Sequence, residues 1–291
     1  MGEVMRKLIL PVGFALIFLI GLSVLLYPLI SSTVNSITQT TIANNYMTGL
    51  KKFSEKDLSD VLEAAQEYNR RLRFKDDRFM FSDEDTKEYF RLLNPNNNGI
   101  MGVLEIASIN VNLPIYHGTD EGVLQVGAGH FEGSSLPVGG PSTHSSITGH
   151  TGLPSSVMLN KLDTMVKGDT FVLKILNDVL TYKVDQILIV EPTDTGSLAI
   201  ETGKDYCTLI TCTPYGINSH RLVVRGYRIG NAEESESDPV VLRNRYITVP
   251  SEASRANSTQ IALIMLSPVL IIILIYLFFK YRKIYGRRNS I

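Results

Sequence analysis

Two cysteines, Cys207 and Cys212, lie on one apolar run, Asp205-Tyr206-Cys207-Thr208-Leu209-Ile210-Thr211-Cys212, which ends in Thr213-Pro214-Tyr215-Gly216. On an extended strand their Cα atoms stand about 17 Å apart, far beyond the roughly 7 Å that a disulfide spans. The odd spacing sends the two side chains to opposite faces of a sheet, so their roles must differ. Cys212, at the strand end before a turn, is the candidate nucleophile, whereas Cys207 reads as a small buried apolar side chain. A thiol near its free pKa of about 8.5 attacks poorly at neutral pH and needs a cation beside it. His150, in Ser146-Ile147-Thr148-Gly149-His150-Thr151-Gly152-Leu153-Pro154, ends an apolar strand close to two glycines that permit close approach. Arg221 begins the strand after the Cys212 turn, where a hairpin-like return brings its guanidinium alongside the thiol.

Each of these residues also has a plain structural reading. A lone cysteine is usually structural, and His117, His130, His144 and His220 read by default as surface, turn or capping residues. Arg221, Arg225 and Arg228 share one strand, where a solvated salt-bridge face accounts for all three. His144, His150 and Cys212 are too few ligands at no zinc spacing, so no metal is expected. Nor is there a glycine-rich phosphate loop, an HExxH pair or an internal repeat, and no cofactor is expected.

The composition narrows the class. The chain has 291 residues with 28 basic and 29 acidic side chains, a net charge of -1, two cysteines and no tryptophan. It offers no basic field for nucleic acid and no disulfide framework. A content of 44% hydrophobic and 20% charged residues also excludes intrinsic disorder, collagen and coiled coil.

The elements that must position these residues follow from local patterning. After the turn-rich Asn94-Pro95-Asn96-Asn97-Asn98-Gly99, short β-branched runs predict strands at 100–106, 111–116, 145–148, 170–176, 180–190, 206–211 and 221–228. With no long helical pattern among them, they argue for a β-barrel or sandwich. Upstream, Ser54 with Asp57 and Ser82 with Asp85 are capping signals for two helices. Leu58, Val61, Leu62, Ala65, Tyr68 and Leu72 line one face of the first. A charged and aromatic connector, residues 73–81, joins the two helices.

Both ends of the chain are apolar. Residues 8–30 carry no charge and follow Arg6 and Lys7, and residues 261–279 are uncharged and precede a basic tail at 280–291. At about 1.5 Å per residue each run is long enough for a hydrocarbon core of about 30 Å. Leu29-Ile30-Ser31-Ser32 is not a small-residue cleavage site, so the first run is expected to be a retained signal anchor. The flanking charges place both termini in the cytoplasm and the residues between the spans outside. The expected organisation is an anchor at 1–30, stalk and helices at 31–98, a β-domain at 99–230, a linker at 231–260, a second span at 261–279 and the tail.

Thr208-Leu209-Ile210-Thr211-Cys212 resembles the TLxTC signature of sortases, the membrane-anchored cysteine transpeptidases of Gram-positive bacteria. The stretch onward to Gly226, together with Asn98-Gly99-Ile100-Met101-Gly102, Ile109 to Thr119 and Ser146 to Pro154, is similar to the pilus-assembling class C branch. The likeness runs from about Tyr68 to Gly230. It implies a closed sortase-type β-barrel with His150, Cys212 and Arg221 at one end. It further implies that Cys212 attacks the Thr–Gly carbonyl of an LPxTG-like sorting signal on a pilin or surface protein. A lysine amine of the next pilin then resolves the thioacyl enzyme into an isopeptide bond. By the same resemblance His150 is the general acid and Arg221 stabilises the oxyanion. Class C enzymes also carry a lid with an Asp-Pro-aromatic motif, the Asp facing the arginine and the ring covering the thiol. Here Asp77-Arg78-Phe79 stands in its place, so Asp77 and Phe79 are the expected plug, loosened by the missing proline.

Three other readings share these residues. A cell-wall-anchoring sortase would use a peptidoglycan amine, and a hydrolytic cysteine protease would use water. A two-span surface binding module would leave Cys212 unreactive.

Overall fold

The computed structural model describes residues 2–151 and 158–230. The expected linker, second span and basic tail, with Gly152, Leu153 and Pro154, lie outside the described residues. The chain divides into two units, one holding the apolar start of the first helix and one beginning at Ser32 and holding the β-domain.

Helix α1 runs over Gly2–Leu50, so the polar stretch after the apolar run continues the helix. Its Gly13–Leu50 portion contains a window of mean hydropathy 2.4 and is long and apolar enough to cross a membrane. The segments of α2 (Glu55–Leu72) and α3 (Asp83–Arg91) begin where the caps predict, each with a reciprocal capping box, Ser54 with Asp57 and Ser82 with Asp85. Arg71 pairs with Glu88 at 2.7 Å and Lys75 with Asp85 at 2.7 Å, tying the two helices and their connector together.

Eight strands follow: β1 (Ile100–Ile106), β2 (Val111–His117), β3 (Ala128–His130), β4 (Thr143–Thr148), β5 (Thr170–Ile175), β6 (Asp178–Val190), β7 (Asp205–Thr213) and β8 (His220–Arg228). A short helix, α4 (Glu121–Leu124), precedes β3. The strands close into a barrel in the order β1-β2-β3-β4-β7-β8-β6-β5, which decides between barrel and sandwich. Pairs β2–β3 and β4–β7 are parallel, and the remaining pairs are antiparallel. The three-residue β3 is too short to show alternation in sequence, and it is the strand that the sequence pattern misses.

Burial explains the strand texture. In β5, Phe171, Leu173 and Ile175 point into the barrel while the residues between them are half-exposed. In β1 both faces are covered, because Tyr46 of α1 lies over it and donates to the Met101 carbonyl at 2.8 Å. The Leu176 amide donates back to the Tyr46 hydroxyl at 3.1 Å. Helix α2 is held by Asn69, whose amide group makes paired bonds to Leu136 at 2.7 and 3.0 Å. Helix α3 is held by Tyr89, whose hydroxyl donates to the His130 carbonyl at 3.1 Å and accepts from Gly118 N–H at 2.9 Å. Hydrogen bonds of this kind matter because a buried polar group without a partner costs about 1–3 kcal/mol.

The histidines correct the default reading. His117, His130 and His144 are buried, and only His220 stands at the surface edge of its strand. His130 Nε2 faces the Ser135 carbonyl at 2.8 Å and its Nδ1 faces the Tyr89 hydroxyl at 3.0 Å. His144 Nδ1 faces the Ala199 carbonyl at 2.8 Å, which places its proton there, and Nε2 accepts from Thr208 Oγ1 at 2.7 Å. Burial dominates both rings and lowers each from the ordinary 6.5 to about 4.

A histidine whose folded pKa is depressed contributes stability that is fully present above its unfolded pKa and lost as pH falls through the folded value. Each ring is therefore expected to withdraw about 3 kcal/mol between pH 6.5 and 4. Asp85, lowered to about 2, withdraws its contribution in a more acidic window. Thermal unfolding of the full chain across that pH range, read by circular dichroism, should show a steady midpoint above pH 7 and a steep fall toward pH 4. A midpoint unchanged down to pH 4 would contradict the assignment.

Candidate active site

Strand β7 is buried on both faces from Tyr206 to Leu209 and opens to one side at Ile210 and Cys212. Cys207 and Leu209 belong to the buried core and Thr211 is buried with them, so Ile210 and Cys212 face outward. Cys207 is fully buried, and desolvation pushes its thiol well above the ordinary range, which leaves it inert. Cys212 is half-buried with a free thiol. The turn that follows opens with a cis Thr213–Pro214 peptide, and its Tyr215 and Ile217 are exposed.

Strand β8 returns antiparallel, and its register sets Arg221 directly opposite Cys212. Opposed Cα atoms in such a ladder stand about 4.5–5.5 Å apart, so the guanidinium and the thiol share one face. Arg221 Nη1 donates to the carbonyls of Asn218 and His220 at 3.2 and 3.1 Å. Those two bonds hold the fork, and its Nε and Nη2 have no partner among the described residues.

On the other side, β4 runs parallel to β7 with Thr148 beside Ile210. Two residues further along both chains come His150 and Cys212. The Gly149 amide continues the pairing by donating to the Ile210 carbonyl at 3.0 Å, and Thr211 Oγ1 donates to the Gly149 carbonyl at 2.7 Å. Thr211 is thus a positioning residue for His150 that the sequence reading did not single out. Its signal was the second threonine of the Thr-Leu-Ile-Thr-Cys run. The Leu159 amide donates to the His150 carbonyl at 3.1 Å and secures the other side.

His150, Cys212 and Arg221 line one cleft of about 340 Å³, with Phe131, Glu191 and Leu198 among its walls. A thiol, an imidazole and a guanidinium on one concave face can supply what nucleophilic acyl transfer needs, an attacking sulfur, a proton donor and an oxyanion partner. His144, by contrast, is committed to Ala199 and Thr208. Arg225 is turned to Asp185 at 2.8 Å and stacks over Tyr206 at 4.2 Å, and Arg228 Nη2 donates to the Val179 carbonyl at 3.2 Å. Among the described residues no group of His, Cys, Asp and Glu side chains is placed to hold a metal ion.

The connector departs from the expected plug. Asp77 is exposed and makes no ion pair with Arg221, and Phe79 is not part of the cleft wall. Phe79 packs instead on Phe131, ring centroids 5.6 Å apart. Arg78, the residue in the proline position, does the fastening. Its Nη1 donates to the Gly133 carbonyl at 3.1 Å and its Nη2 to the Leu198 carbonyl at 2.6 Å. The guanidinium also covers the Phe79 ring at 4.4 Å. Burial is the cause that lowers the Arg78 pKa, in keeping with a cation drawn into the surface of the barrel. Gly133 has a φ of +84° and no room for a side chain, since a Cβ there would meet the Arg78 carbonyl and the Phe79 ring. The connector is therefore strapped beside the cleft through its arginine, with Asp77 outside.

Comparison with known proteins agrees with this geometry. The sortase domain model matches residues 104–229. Among solved structures, sortase C1 of Streptococcus agalactiae is 44% identical, covers 66% of this chain and 99% of its own, and superposes with a TM-score of 0.64. Sortase C of Clostridium perfringens, determined with the C-terminal cell wall sorting motif, is 37% identical over 66% of this chain and 99% of its own, with a TM-score of 0.58. Sortase D of Bacillus subtilis is 29% identical over 138 residues, or 46% of this chain and 67% of the relative. With a barrel of this topology, a cysteine facing an arginine across β7 and β8, and near-complete coverage of a relative well above 30% identity, the chain belongs to the sortase family of cysteine transpeptidases.

Proposed function

We propose that this chain is a membrane-anchored class C sortase that joins pilin subunits by transpeptidation. The single observation that carries the reading is the placement of Cys212 opposite Arg221 and in register with His150 at one cleft. Similarity to solved sortase C structures supports the pilin branch.

In this reading the substrate is an LPxTG-like sorting signal whose Thr–Gly carbonyl lies against Cys212. The Sγ thiolate adds to that carbonyl carbon, and the oxygen takes up negative charge beside the Arg221 guanidinium. As the C–N bond breaks, His150 gives its proton to the departing glycine amine, leaving a thioester on Cys212. A pilin lysine, as the free amine, adds to the thioester carbonyl. The C–S bond then breaks, an isopeptide bond forms, and the amine proton returns to the His150–Cys212 pair. No cofactor or metal enters the cycle.

The apolar part of α1 is proposed as the membrane anchor, and the run at 261–279 as a second span with both termini cytoplasmic. Anchored enzyme and membrane-held precursor would then meet at high effective concentration. The connector at 73–81 is proposed as a lid, fastened by Arg78 rather than by Asp77.

Full-length chain in detergent, mixed with an LPxTG-type peptide and read by intact mass, is expected to gain a thioester adduct that Cys212→Ala lacks. Absence of any adduct from the wild type and from lid-opened variants, across several sorting peptides, would overturn the enzyme reading. Arg221→Ala should slow capture by about 10²–10³, the usual loss for one oxyanion donor. Feeding the thioester a lysine-bearing pilin or a cell-wall peptide amine separates the pilus reading from cell-wall anchoring.

The lid makes its own prediction. Arg78→Ala removes two hydrogen bonds from a charged donor, each worth about 1.5–3 kcal/mol. Capture should quicken about tenfold or more. Gly133→Ala, which crowds the strap from below, should have the same direction of effect. Slower capture in both would mean that the connector builds the cleft rather than covers it.

A further inference from the structure

We infer that Gln39, on α1, is a positioning residue for His150, acting through the turn at Met158 and Leu159. His150 Nε2 makes no hydrogen bond among the described residues, and the exposed Glu121 carboxylate approaches it at 3.4 Å without one. The ring is therefore aimed by the backbone that carries it. On the β7 side that backbone is held through Gly149, and on the other side the Leu159 amide donates to the His150 carbonyl at 3.1 Å. Leu159 is fully buried and lies so close to Gly149 that a Cβ there would meet its Cγ and Cδ1 at 2.9 Å. Whatever fixes Leu159 fixes the peptide from which the imidazole hangs.

Leu159 follows a strained residue. Met158 has a φ of +32°, a left-handed value that a residue with a bulky side chain keeps only where its surroundings enforce it. A contact that enforces it comes from α1, 119 residues away in the chain. Gln39 is buried, 6% exposed, and its Nε2 donates to Met158 Sδ at 3.3 Å. A thioether is a weak acceptor, so this bond supplies direction more than strength. Gln39 holds that direction because its helix cannot turn: Ala43, Tyr46 and Leu50 share its face at spacings of four and three and are buried as well. Tyr46 sets the phase with its bonds to Met101 and Leu176. From the other side, the Leu162 amide donates to the Leu159 carbonyl at 3.0 Å and closes the turn without gripping Met158. Gln39 is not part of the cleft wall, so it acts on His150 through this turn and not through substrate.

The inference rests on the reading of His150 as proton donor to the leaving amine, and two substrates test it. Full-length chain in detergent is given an LPxTG-type peptide with its amide intact, or the same peptide with a mercaptoacetyl thioester in place of the Thr–Gly amide. From the second, Cys212 Sγ displaces a thiolate, which departs without a proton, so a misplaced imidazole matters little in that step. Gln39→Leu removes the donor at a similar size. It is expected to slow maximal capture of the amide peptide about fivefold at unchanged KM, a small part of the roughly 10²–10⁴-fold that a general acid supplies. Capture of the thioester should stay close to the wild-type rate. Met158→Leu removes the acceptor in a comparable volume and should give a similar loss. The double variant should lose no more than either single one, because all three delete the same contact. If Gln39→Leu does not fold, Met158→Leu carries the comparison. Unchanged amide capture, equal slowing of both substrates, or losses that multiply in the double variant would overturn the inference. A readout free of turnover is the NMR resonance of the His150 ring in histidine-labelled chain, identified by its loss in His150→Asn. It should move or broaden in Gln39→Leu while that of His220 stays, and an unmoved ring overturns the inference. A moved ring in a protein whose wild type captures neither substrate would uphold the positioning and overturn the transpeptidase reading instead.

Discussion

Strand β7 is hydrogen-bonded on both sides, in parallel to β4 and antiparallel to β8, and the site takes its geometry from these two registers. A slip of one residue against β8 would turn Arg221 away from the thiol, and a slip against β4 would do the same to His150, because side chains alternate faces with a period of two. What fixes both registers is the inward row, Cys207, Leu209 and Thr211, which must stay in a closed barrel. The packing of the core and the placing of three reactive groups are therefore one constraint. Cys207 contributes to the geometry of the cleft although its thiol is inert, since its small apolar side chain is part of what holds the strand in phase.

Around that barrel the polar interior performs a second task. Tyr46, Asn69 and Tyr89 each carry a helix onto the barrel with hydrogen bonds to backbone, so three helices are oriented by buried polar side chains. His144 does the same for the loop between β6 and β7, linking Ala199 to Thr208. The Leu198 carbonyl that receives Arg78 sits one residue before Ala199. Strap, loop and β7 are thus joined through a short series of polar contacts, ending at Thr208, four residues from Cys212.

Much of this was legible in the sequence, for identifiable reasons. The capping boxes at Ser54 and Ser82 are local signals and fall where the helices begin. Strand texture was readable wherever one face is buried and the other wet, and β3 escaped because three residues carry no period. The opposition of Cys212 and Arg221 follows from a short turn between two apolar runs, and the likeness to a known signature pointed the same way. The buried histidines were misjudged because burial of a polar ring depends on partners distant in sequence: His130 needs Tyr89 and His144 needs Ala199 and Thr208. Asp77 and Arg78 exchanged expected importance for a similar reason. Proline in that position fixes a backbone angle, whereas arginine replaces local stiffness with reach, and its targets, Gly133 and Leu198, cannot be inferred from the connector alone.

The two thiols also set how this protein meets oxidants. Cys212 carries the accessible thiol, and the chain contains one other cysteine, Cys207, sealed in the barrel on the opposite face of the same strand. A sulfenic acid formed at Cys212 has no resolving cysteine within the molecule, so it cannot be parked as an internal disulfide. Its return to the thiol depends on a small-molecule or protein reductant entering the cleft that admits substrate. Anything that narrows that entrance therefore shields the sulfur from peroxide and delays its repair by the same steric means.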